Sequence, residues 1–179
     1  MSKTTVVFMG DSLTEWMPKP KLNNYKLIMA GYSGMGVSYL NHLARQIMER
    51  HQPQQVWLCI GINDVWMFDQ GQRLQDWEEQ FASLCRQIAG SGAILYGSTL
   101  MPVENIGFGS AINMYWIHET NKAIARQVMN CQGILVDSFA HFSQADGYLP
   151  QGYSEDGVHL TLATYEKWVP FICTSLGID

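Results

Sequence analysis

The sequence predicts a three-layer α/β/α domain built on a mostly parallel sheet of five strands. Short runs rich in β-branched residues alternate along the chain with longer segments in which apolar residues recur at helical spacing. The short runs are almost continuously apolar, which is typical of parallel strands covered by helices on both faces. The 179 residues contain no repeat, low-complexity segment or linker, so we expect one domain over residues 1–179.

The alternation resolves into five strands and four long helices. Strands are predicted at residues 4–9, 26–29, 55–60, 93–96 and 133–136. Helices are predicted at residues 37–50, 74–88, 111–129 and from 161 onward. Pro170 is expected to kink or end the last helix, and the glycine-rich residues 101–110 are expected to form a loop. Ligands of such sheets bind at the carboxyl ends of the strands, so candidate site residues should follow the strands.

Composition excludes several classes of protein. The net charge is −5 and no basic run is present, so nucleic-acid binding has no electrostatic support. No apolar run has transmembrane length, and residues 4–9 are too short for a leader, so a cytoplasmic protein is expected. Four cysteines lie far apart without a C-x-x-C pair, which favours reduced, buried thiols over disulfides or a metal site: Cys59, Cys85, Cys131 and Cys173.

Four short segments carry residues suited to nucleophilic catalysis. Gly10–Thr14 follows the first predicted strand, Gly31–Gly36 the second and Gly61–Asp64 the third. Asp156–His159 precedes the last helix. Three of the four therefore stand at carboxyl ends of strands, where a parallel sheet places its site.

Each segment has a chemical use in acyl transfer. The Ser12 hydroxyl needs a base, for which His159 is the candidate, and Asp156 is close enough in sequence to orient that base. The anion formed on the attacked carbonyl needs preorganised donors. Candidates are the backbone N–H groups of Ser12 and Gly34 and the side-chain amide of Asn63. No segment has the ligand spacing of a metal site, so we expect neither a metal nor a cofactor.

Taken singly, each segment also has a structural interpretation. Gly10–Thr14 is compatible with a capped strand-to-helix turn, and Asn63–Asp64 is a common turn-and-cap pair. Gly31–Gly36 lacks both the Walker lysine and the G-x-G-x-x-G spacing, which argues against a nucleotide site. A lone His159 is more often a surface histidine. Their joint occurrence, in this order, favours catalysis.

The four segments resemble the four sequence blocks of the SGNH hydrolases, also called the GDSL esterase/lipase family. The resemblance spans residues 4 to about 165 and implies a flavodoxin-like sandwich. It implies Ser12 as nucleophile, Asp156 and His159 as acid and base, and Asn63 in the oxyanion hole. The second block matches more loosely, so Gly31 and Gly36 remain alternatives to Gly34. Leu160 stands where a proline is frequent.

The expected activity is hydrolysis of a carboxylic ester through an acyl-serine intermediate, on a small-molecule substrate. A thioesterase or a carbohydrate deacetylase would use the same residues, and a non-catalytic sugar- or lipid-binding domain is the alternative of another class. Asp137 is interpreted as structural, and Asp11 and Asp64 as residues that shape their loops. The sequence specifies no oligomeric state. Large apolar side chains near the motifs are candidates for a substrate pocket: Trp16, Trp66, Met67, Phe68, Phe108 and Tyr153.

Overall fold

A five-stranded sheet forms the centre of the protein, of which a computed structural model describes residues 3–178. Its strands are β1 (Thr4–Gly10), β2 (Tyr25–Gly31), β3 (Gln55–Cys59), β4 (Ile94–Ser98) and β5 (Ile134–Val136). They are ordered β2-β1-β3-β4-β5, and every pair is parallel. The predicted sheet is confirmed, and its order is that of flavodoxin-like sheets.

In the described part of the chain, seven α-helices connect and cover the strands. They are α1 (Ser12–Glu15), α2 (Val37–His51), α3 (Ile62–Phe68), α4 (Leu74–Gly90), α5 (Met114–Asn130), α6 (Ser138–Phe142) and α7 (Leu162–Leu176). The four long helices were predicted, but the expected glycine-rich loop ends in a 3-10 turn at Gly109–Ala111 and α5 begins later than expected. The short helices α1, α3 and α6 were not predicted. Each is separated from the preceding strand by one or two residues. The side chains of Asp11 and Asp137 cap α1 and α6, whereas α3 follows Gly61 without a side-chain cap.

Helix α7 continues through Pro170, so of the two effects expected from sequence, a kink or an end, the end does not occur. Proline removes one hydrogen bond to the residue four positions earlier, here Glu166. Both Pro170 and Glu166 are on the exposed side of the helix, so water can satisfy the freed carbonyl. Trp168 and Ile172 on the opposite side are fully buried and hold the helix against the sheet.

Alternate residues of β1, β3 and β4 pack into two separate apolar cores. On β1, Val7 and Met9 belong to the core formed with α2, α4 and α5. Phe8 belongs to the core on the other face, formed mainly with α7. There Trp57 of β3 meets Trp168 of α7 edge to face, with ring centroids 5.4 Å apart. The sheet is therefore covered on both sides, which confirms the three layers and explains why the strands are apolar throughout.

The carboxyl ends of β1, β2 and β3 lie side by side. Gly10 pairs in register with Gly31 on one side and with Cys59 on the other. The segments that follow these three strands therefore start from one edge of the sheet. Cys59, Cys85 and Cys173 are buried, whereas Cys131 is only half-buried. Within residues 3–178, no helix combines the length and the apolar character needed to cross a membrane.

Candidate active site

The turn from β1 into α1 places Ser12 at the first position of the helix. A Cβ at Gly10 would lie 2.2 Å from Thr14 Oγ1 and 2.4 Å from the carbonyl oxygen of Cys59. Glycine is therefore required for the strand to turn this tightly. Asp11 caps α1, because its Oδ1 accepts a hydrogen bond of 3.0 Å from the Leu13 N–H. The cap fixes the orientation in which Ser12 leaves the sheet.

Asp156 and His159 form a self-contained unit within one loop. Asp156 Oδ1 accepts hydrogen bonds from the backbone N–H groups of Val158, at 3.0 Å, and His159, at 2.8 Å. Asp156 Oδ2 lies 2.7 Å from Nδ1 of the His159 ring. One carboxylate oxygen thus folds the loop while the other orients the imidazole. Gly157 has φ +97°, a conformation that favours glycine, and supports this turn.

The two segments meet at a hydrogen bond between Ser12 and His159. Ser12 Oγ lies 3.0 Å from His159 Nε2, across 147 positions of sequence. If Nδ1 carries the proton toward Asp156, Nε2 is left as the acceptor for the serine hydroxyl. The structure therefore brings three of the sequence-predicted residues into one hydrogen-bonded chain. A hydroxyl, an imidazole and a carboxylate in this order have the geometry of an activated nucleophile.

Asp156, which belongs to this hydrogen-bonded chain, and Asp11, which precedes Ser12, have pKa values that are shifted in opposite directions. Burial raises the pKa of Asp11 to about 7, and the nearby Asp64 adds to the effect, although the Leu13 N–H opposes it. Partial burial also acts to raise the pKa of Asp156. There, hydrogen bonds from the ring and backbone of His159 and from the Val158 N–H outweigh burial, so the pKa falls below its usual value.

The segment after β2 lies between α1 and α3 and is tied to both. The Ser33 N–H donates to the Glu15 carboxylate at 2.9 Å, and the Ser33 hydroxyl donates to the same oxygen. On the other side, Asn63 Nδ2 donates to the carbonyl oxygen of Met35 at 3.0 Å. Gly34 lies between these anchors with φ +74°. The candidate donors Gly34 and Asn63 are therefore linked through one short segment.

The three glycines of this segment have different surroundings. A Cβ at Gly31 would lie 2.2 Å from the Glu15 nitrogen, and one at Gly36 would lie 2.3 Å from Asp64 Oδ1, so both allow close packing. A Cβ at Gly34 would have no heavy atom within 4 Å. Within residues 3–178, the N–H groups of Ser12 and Gly34 have no hydrogen-bond acceptor. Gly34 thus combines open space with a free donor, as an oxyanion site needs.

The remaining aspartates of the motifs serve the scaffold. Asp64 accepts a hydrogen bond from the Val37 N–H at the start of α2, and burial raises its pKa. Asp137 caps α6 by accepting from the Ala140 N–H and also accepts from the Thr99 hydroxyl, each at 3.0 Å. These contacts agree with the interpretation of both residues as structural. In the described part of the chain, no three His, Cys, Asp or Glu side chains are grouped to hold a metal ion.

An open cavity of about 330 Å³ adjoins His159. It is lined by Asn63, Trp66, Phe108, Val158 and His159. Of the other large side chains named from sequence, Trp16 stacks on the His159 ring, with centroids 4.3 Å apart. Phe68 belongs to the core and Tyr153 contacts Lys167, so neither lines the cavity.

One buried residue was missed by the sequence analysis. It lies near the loop that carries Asp156 and His159, which we call the acid–base loop. Glu104 lies between β4 and α5 and is only 4% exposed. Its carboxylate accepts hydrogen bonds from the backbone N–H groups of Gly152 and Ser154. In the sequence, Glu104 is noticeable only as an acidic residue within an apolar stretch. That pattern does not indicate which backbone groups the carboxylate binds.

Comparison with known proteins finds a matching family profile and several similar structures. The profile of the GDSL-like Lipase/Acylhydrolase family matches residues 4–167. Comparison with curated protein sequences finds no match. A GDSL-like lipase from Bacteroides thetaiotaomicron has a similar structure, with a TM-score of 0.81 and 20% identity over 97% of this chain and 88% of that one.

Two further solved structures share the fold at low identity. A variant of an acetyl xylan esterase from Geobacillus stearothermophilus has a TM-score of 0.80 and 18% identity, over 99% of this chain and 96% of that one. The protein TesA has a TM-score of 0.77 and 15% identity, over 97% of this chain and 98% of that one. At such identities the likeness concerns the fold.

The fold and the family profile together define the class of protein: a hydrolase of α/β fold that acts on ester bonds. More narrowly, the chain belongs to the GDSL-like lipase/acylhydrolase family, because the profile covers most of its length. The resemblance drawn from the four sequence blocks is confirmed.

Proposed function

We propose that this protein hydrolyses carboxylic esters through an acyl-serine intermediate on Ser12. The observation that supports the proposal most directly is the hydrogen-bonded chain from Ser12 Oγ to His159 Nε2 and from His159 Nδ1 to Asp156 Oδ2. A binding domain would not need a hydroxyl, an imidazole and a carboxylate in this order.

The proposed reaction has two steps that use the same base. His159 Nε2 takes the proton of Ser12 as Oγ bonds to the ester carbonyl carbon, and then gives it to the departing alcohol. Water next attacks the acyl-serine, loses a proton to His159 and releases the acid as the proton returns to Ser12. Asp156 holds the ring and stabilises the imidazolium that forms in each step.

The proposed oxyanion hole consists of the Ser12 N–H, the Gly34 N–H and the Asn63 amide. The two backbone donors are free of other acceptors within residues 3–178, which supports their assignment. Asn63 Nδ2 carries two hydrogens and donates one toward Met35, so a second remains for the oxyanion. Gly34 is preferred to Gly31 and Gly36, because close packing already accounts for those two glycines.

The lining of the cavity beside His159 favours binding of an uncharged acyl group of the substrate. Its walls are the rings of Trp66 and Phe108 together with Val158, and His159 is its one titratable residue. A charged acyl group would lose hydration there without gaining a partner. We therefore propose neutral carboxylic esters as substrates.

Deacetylation of a carbohydrate is the second candidate, favoured by the exposure of two aromatic residues. Trp16, which stacks on the His159 ring, is 55% exposed, and Phe108, which lines the cavity beside His159, is 60% exposed. Exposed aromatic faces can stack on a sugar ring while the small acetyl group enters the site. A panel of p-nitrophenyl esters of increasing acyl length, acyl thioesters and acetylated xylo-oligosaccharides would decide between a long acyl group, a thioester and an acetylated sugar.

The mechanism is tested by Ser12→Ala. Turnover should fall by up to about 10⁶, because members of such a unit fail together. The measurement is kcat on p-nitrophenyl acetate for wild type and variant, with circular dichroism to show that both are folded. A folded variant that retains most of its activity would contradict the serine mechanism. Absence of hydrolysis by the wild type across the whole substrate panel would favour the non-catalytic alternative.

A further inference from the structure

Glu104 is a buried carboxylate whose partners are all in the segment that leads to the acid–base loop. Its Oε1 accepts from the Gly152 N–H at 2.8 Å, and its Oε2 accepts from the Ser154 N–H at 2.9 Å. The residue is 4% exposed. A carboxylate removed from water needs such charge-assisted hydrogen bonds, so these contacts hold the segment strongly.

The main chain of Glu104 holds the same loop at a second point. The Glu104 N–H donates to the carbonyl oxygen of Gly157 at 2.9 Å. Close packing reinforces this contact, since a Cβ at Gly109 would lie 2.1 Å from the Glu104 carbonyl oxygen and 2.7 Å from that of Gly157. Glu104 therefore contacts the loop both before and after Asp156.

Ser154 connects the Glu104 carboxylate to His159. The Ser154 hydroxyl donates to the His159 carbonyl oxygen at 2.8 Å, and the Glu155 N–H donates to the same oxygen at 2.8 Å. The backbone of His159 is thus held through Ser154, whose own N–H is held by Glu104. Two hydrogen bonds separate the buried carboxylate from the proposed base.

We infer that Glu104 is a positioning residue that sets where His159 stands relative to Ser12, an inference that rests on the proposed function. Asp156 and His159 are joined within their own loop, so that pair can form without Glu104. Ser12 belongs to a different segment, and the 3.0 Å contact between Oγ and Nε2 depends on where the whole loop is placed. Glu104 anchors the loop to the segment after β4.

The inference predicts a graded loss of turnover in two variants. Glu104→Gln keeps the side-chain volume and one acceptor oxygen, but its NH₂ group faces the second backbone N–H. Glu104→Ala loses both acceptors. We expect kcat to fall in the order wild type, Gln, Ala, by about 10² for Ala, because a displacement of about 1 Å can have that effect. KM should change by less than about three-fold, since Glu104 does not line the cavity.

Glu78→Gln is the matched control for loss of a hydrogen-bonded carboxylate. Glu78 of α4 accepts from the Arg126 guanidinium and from Gln127 of α5, away from the site. Each variant is assayed well below its Tm, so that only folded protein contributes to kcat. We expect Glu78→Gln to lower Tm without lowering kcat. Equal kcat losses in Glu78→Gln and Glu104→Gln would overturn the inference.

A double-mutant cycle with His159→Ala separates positioning from a general structural role. If Glu104 acts through His159, Glu104→Ala should cause no further loss of the residual rate in the His159→Ala background. An equal loss in both backgrounds would overturn the inference. If Glu104→Ala does not fold, Glu104→Gln and Ser154→Ala replace it in the same cycle.

The outcome also distinguishes this inference from the proposed function. If Ser12→Ala removes activity while the folded Glu104 and Ser154 variants keep the wild-type kcat, the inference fails and the serine mechanism stands. If Ser12→Ala keeps its activity, the proposed function fails, and the inference about Glu104 fails with it.

Discussion

Asp11 directly precedes Ser12 in the chain, whereas Asp156 reaches Ser12 only through the ring of His159. Asp11 is 1% exposed, and its side chain caps α1 through the Leu13 N–H. Asp156 is partly exposed and directs one oxygen at His159 Nδ1. The carboxylate nearer to Ser12 in sequence therefore shapes the turn, and the distant one is the one that we propose to orient the base. Surroundings, more than sequence distance, decide the role of each.

The two surroundings imply opposite dependences of stability on pH. Burial raises the pKa of Asp11 to about 7, from an ordinary value of 3.8, so its folding contribution is greatest below about pH 4 and is lost as pH rises to about 7. The pKa of Asp156 is lowered by its hydrogen bonds to His159 and Val158, which outweigh the opposing effect of burial. Its contribution is present above pH 3.8 and is lost as pH falls through the lower folded value.

Among the variants that test this comparison, Asp156→Asn should lower kcat the most. Asparagine can keep the two backbone hydrogen bonds with its carbonyl oxygen, because both use Oδ1, while its NH₂ group replaces Oδ2 opposite the ring. The loop should persist with the imidazole in the wrong tautomer. We expect kcat to fall by about 10⁴. The measurement is kcat/KM against pH, which a histidine base makes rise near neutrality.

Asp137→Asn is the control for that experiment. Asp137 also accepts from a backbone N–H and from one side chain, but at the start of α6. The control should keep the wild-type kcat and pH profile. Loss of activity in Asp137→Asn, with activity kept in Asp156→Asn, would transfer the role of the acid to Asp137. A rise at pH 4 to 5 in the wild type would instead point to an ordinary carboxylate as the base.

Asn63→Ala tests a neutral side chain of the same proposed site. Removing one oxyanion donor should lower kcat by roughly 10²–10³ with little change in Tm. Asn41→Ala, which removes the side-chain acceptor of Gln87 but keeps the Asn41 carbonyl to which Gln87 also donates, is the control and should leave kcat unchanged. If Asn63→Ala lowers Tm but not kcat per folded molecule, Asn63 only supports the Met35 carbonyl, to which it donates.

The sequence predicted the elements and residues that have local signatures. The four long helices and the five strands follow from the periodicity of buried side chains, and Ser12, Asn63, Asp156 and His159 follow from blocks of characteristic residues. The short helices α1 and α6 were missed because they have too few residues for an apolar repeat. A capped turn at Gly10–Thr14 was considered as the structural alternative to catalysis, whereas Asp137, the cap of α6, was interpreted only as a structural acid.

Glu104 could not have been predicted in the same way. Its partners are backbone N–H groups of Gly152 and Ser154, and a backbone donor has no residue-specific signature. The stacking of Trp16 on His159 is similar, because it depends on how α1 and the acid–base loop meet in space. Contacts between distant segments of irregular backbone therefore account for most of what the sequence left open.

Asp11→Asn should have the smallest effect on turnover, and it tests whether Asp11 is only a cap. Its pKa of about 7 means that Asp11 titrates in the same pH range in which a histidine base would. Asparagine keeps an acceptor for the Leu13 N–H and cannot titrate. The midpoint of kcat/KM against pH should therefore stay at the wild-type value. If the rise near neutrality disappears in this variant, the profile reports Asp11, and His159 loses its support as the base.

The same substitution should change how stability depends on pH, with a sign that the buried carboxylate fixes. In the wild type the unfolded chain releases the Asp11 proton near pH 3.8, whereas the folded chain keeps it up to about pH 7. The free energy of unfolding of the wild type should thus fall relative to that of Asp11→Asn across that interval. Outside the interval, the difference between the two proteins should stay constant. A shift of about three pKa units corresponds to roughly 4 kcal/mol. Urea unfolding of both proteins at pH 4, 5.5, 7 and 8 measures the difference. Parallel stability curves throughout would mean that Asp11 is ionised in the folded protein. Asp11 would then not be an uncharged cap, and its pKa would no longer contrast with that of Asp156.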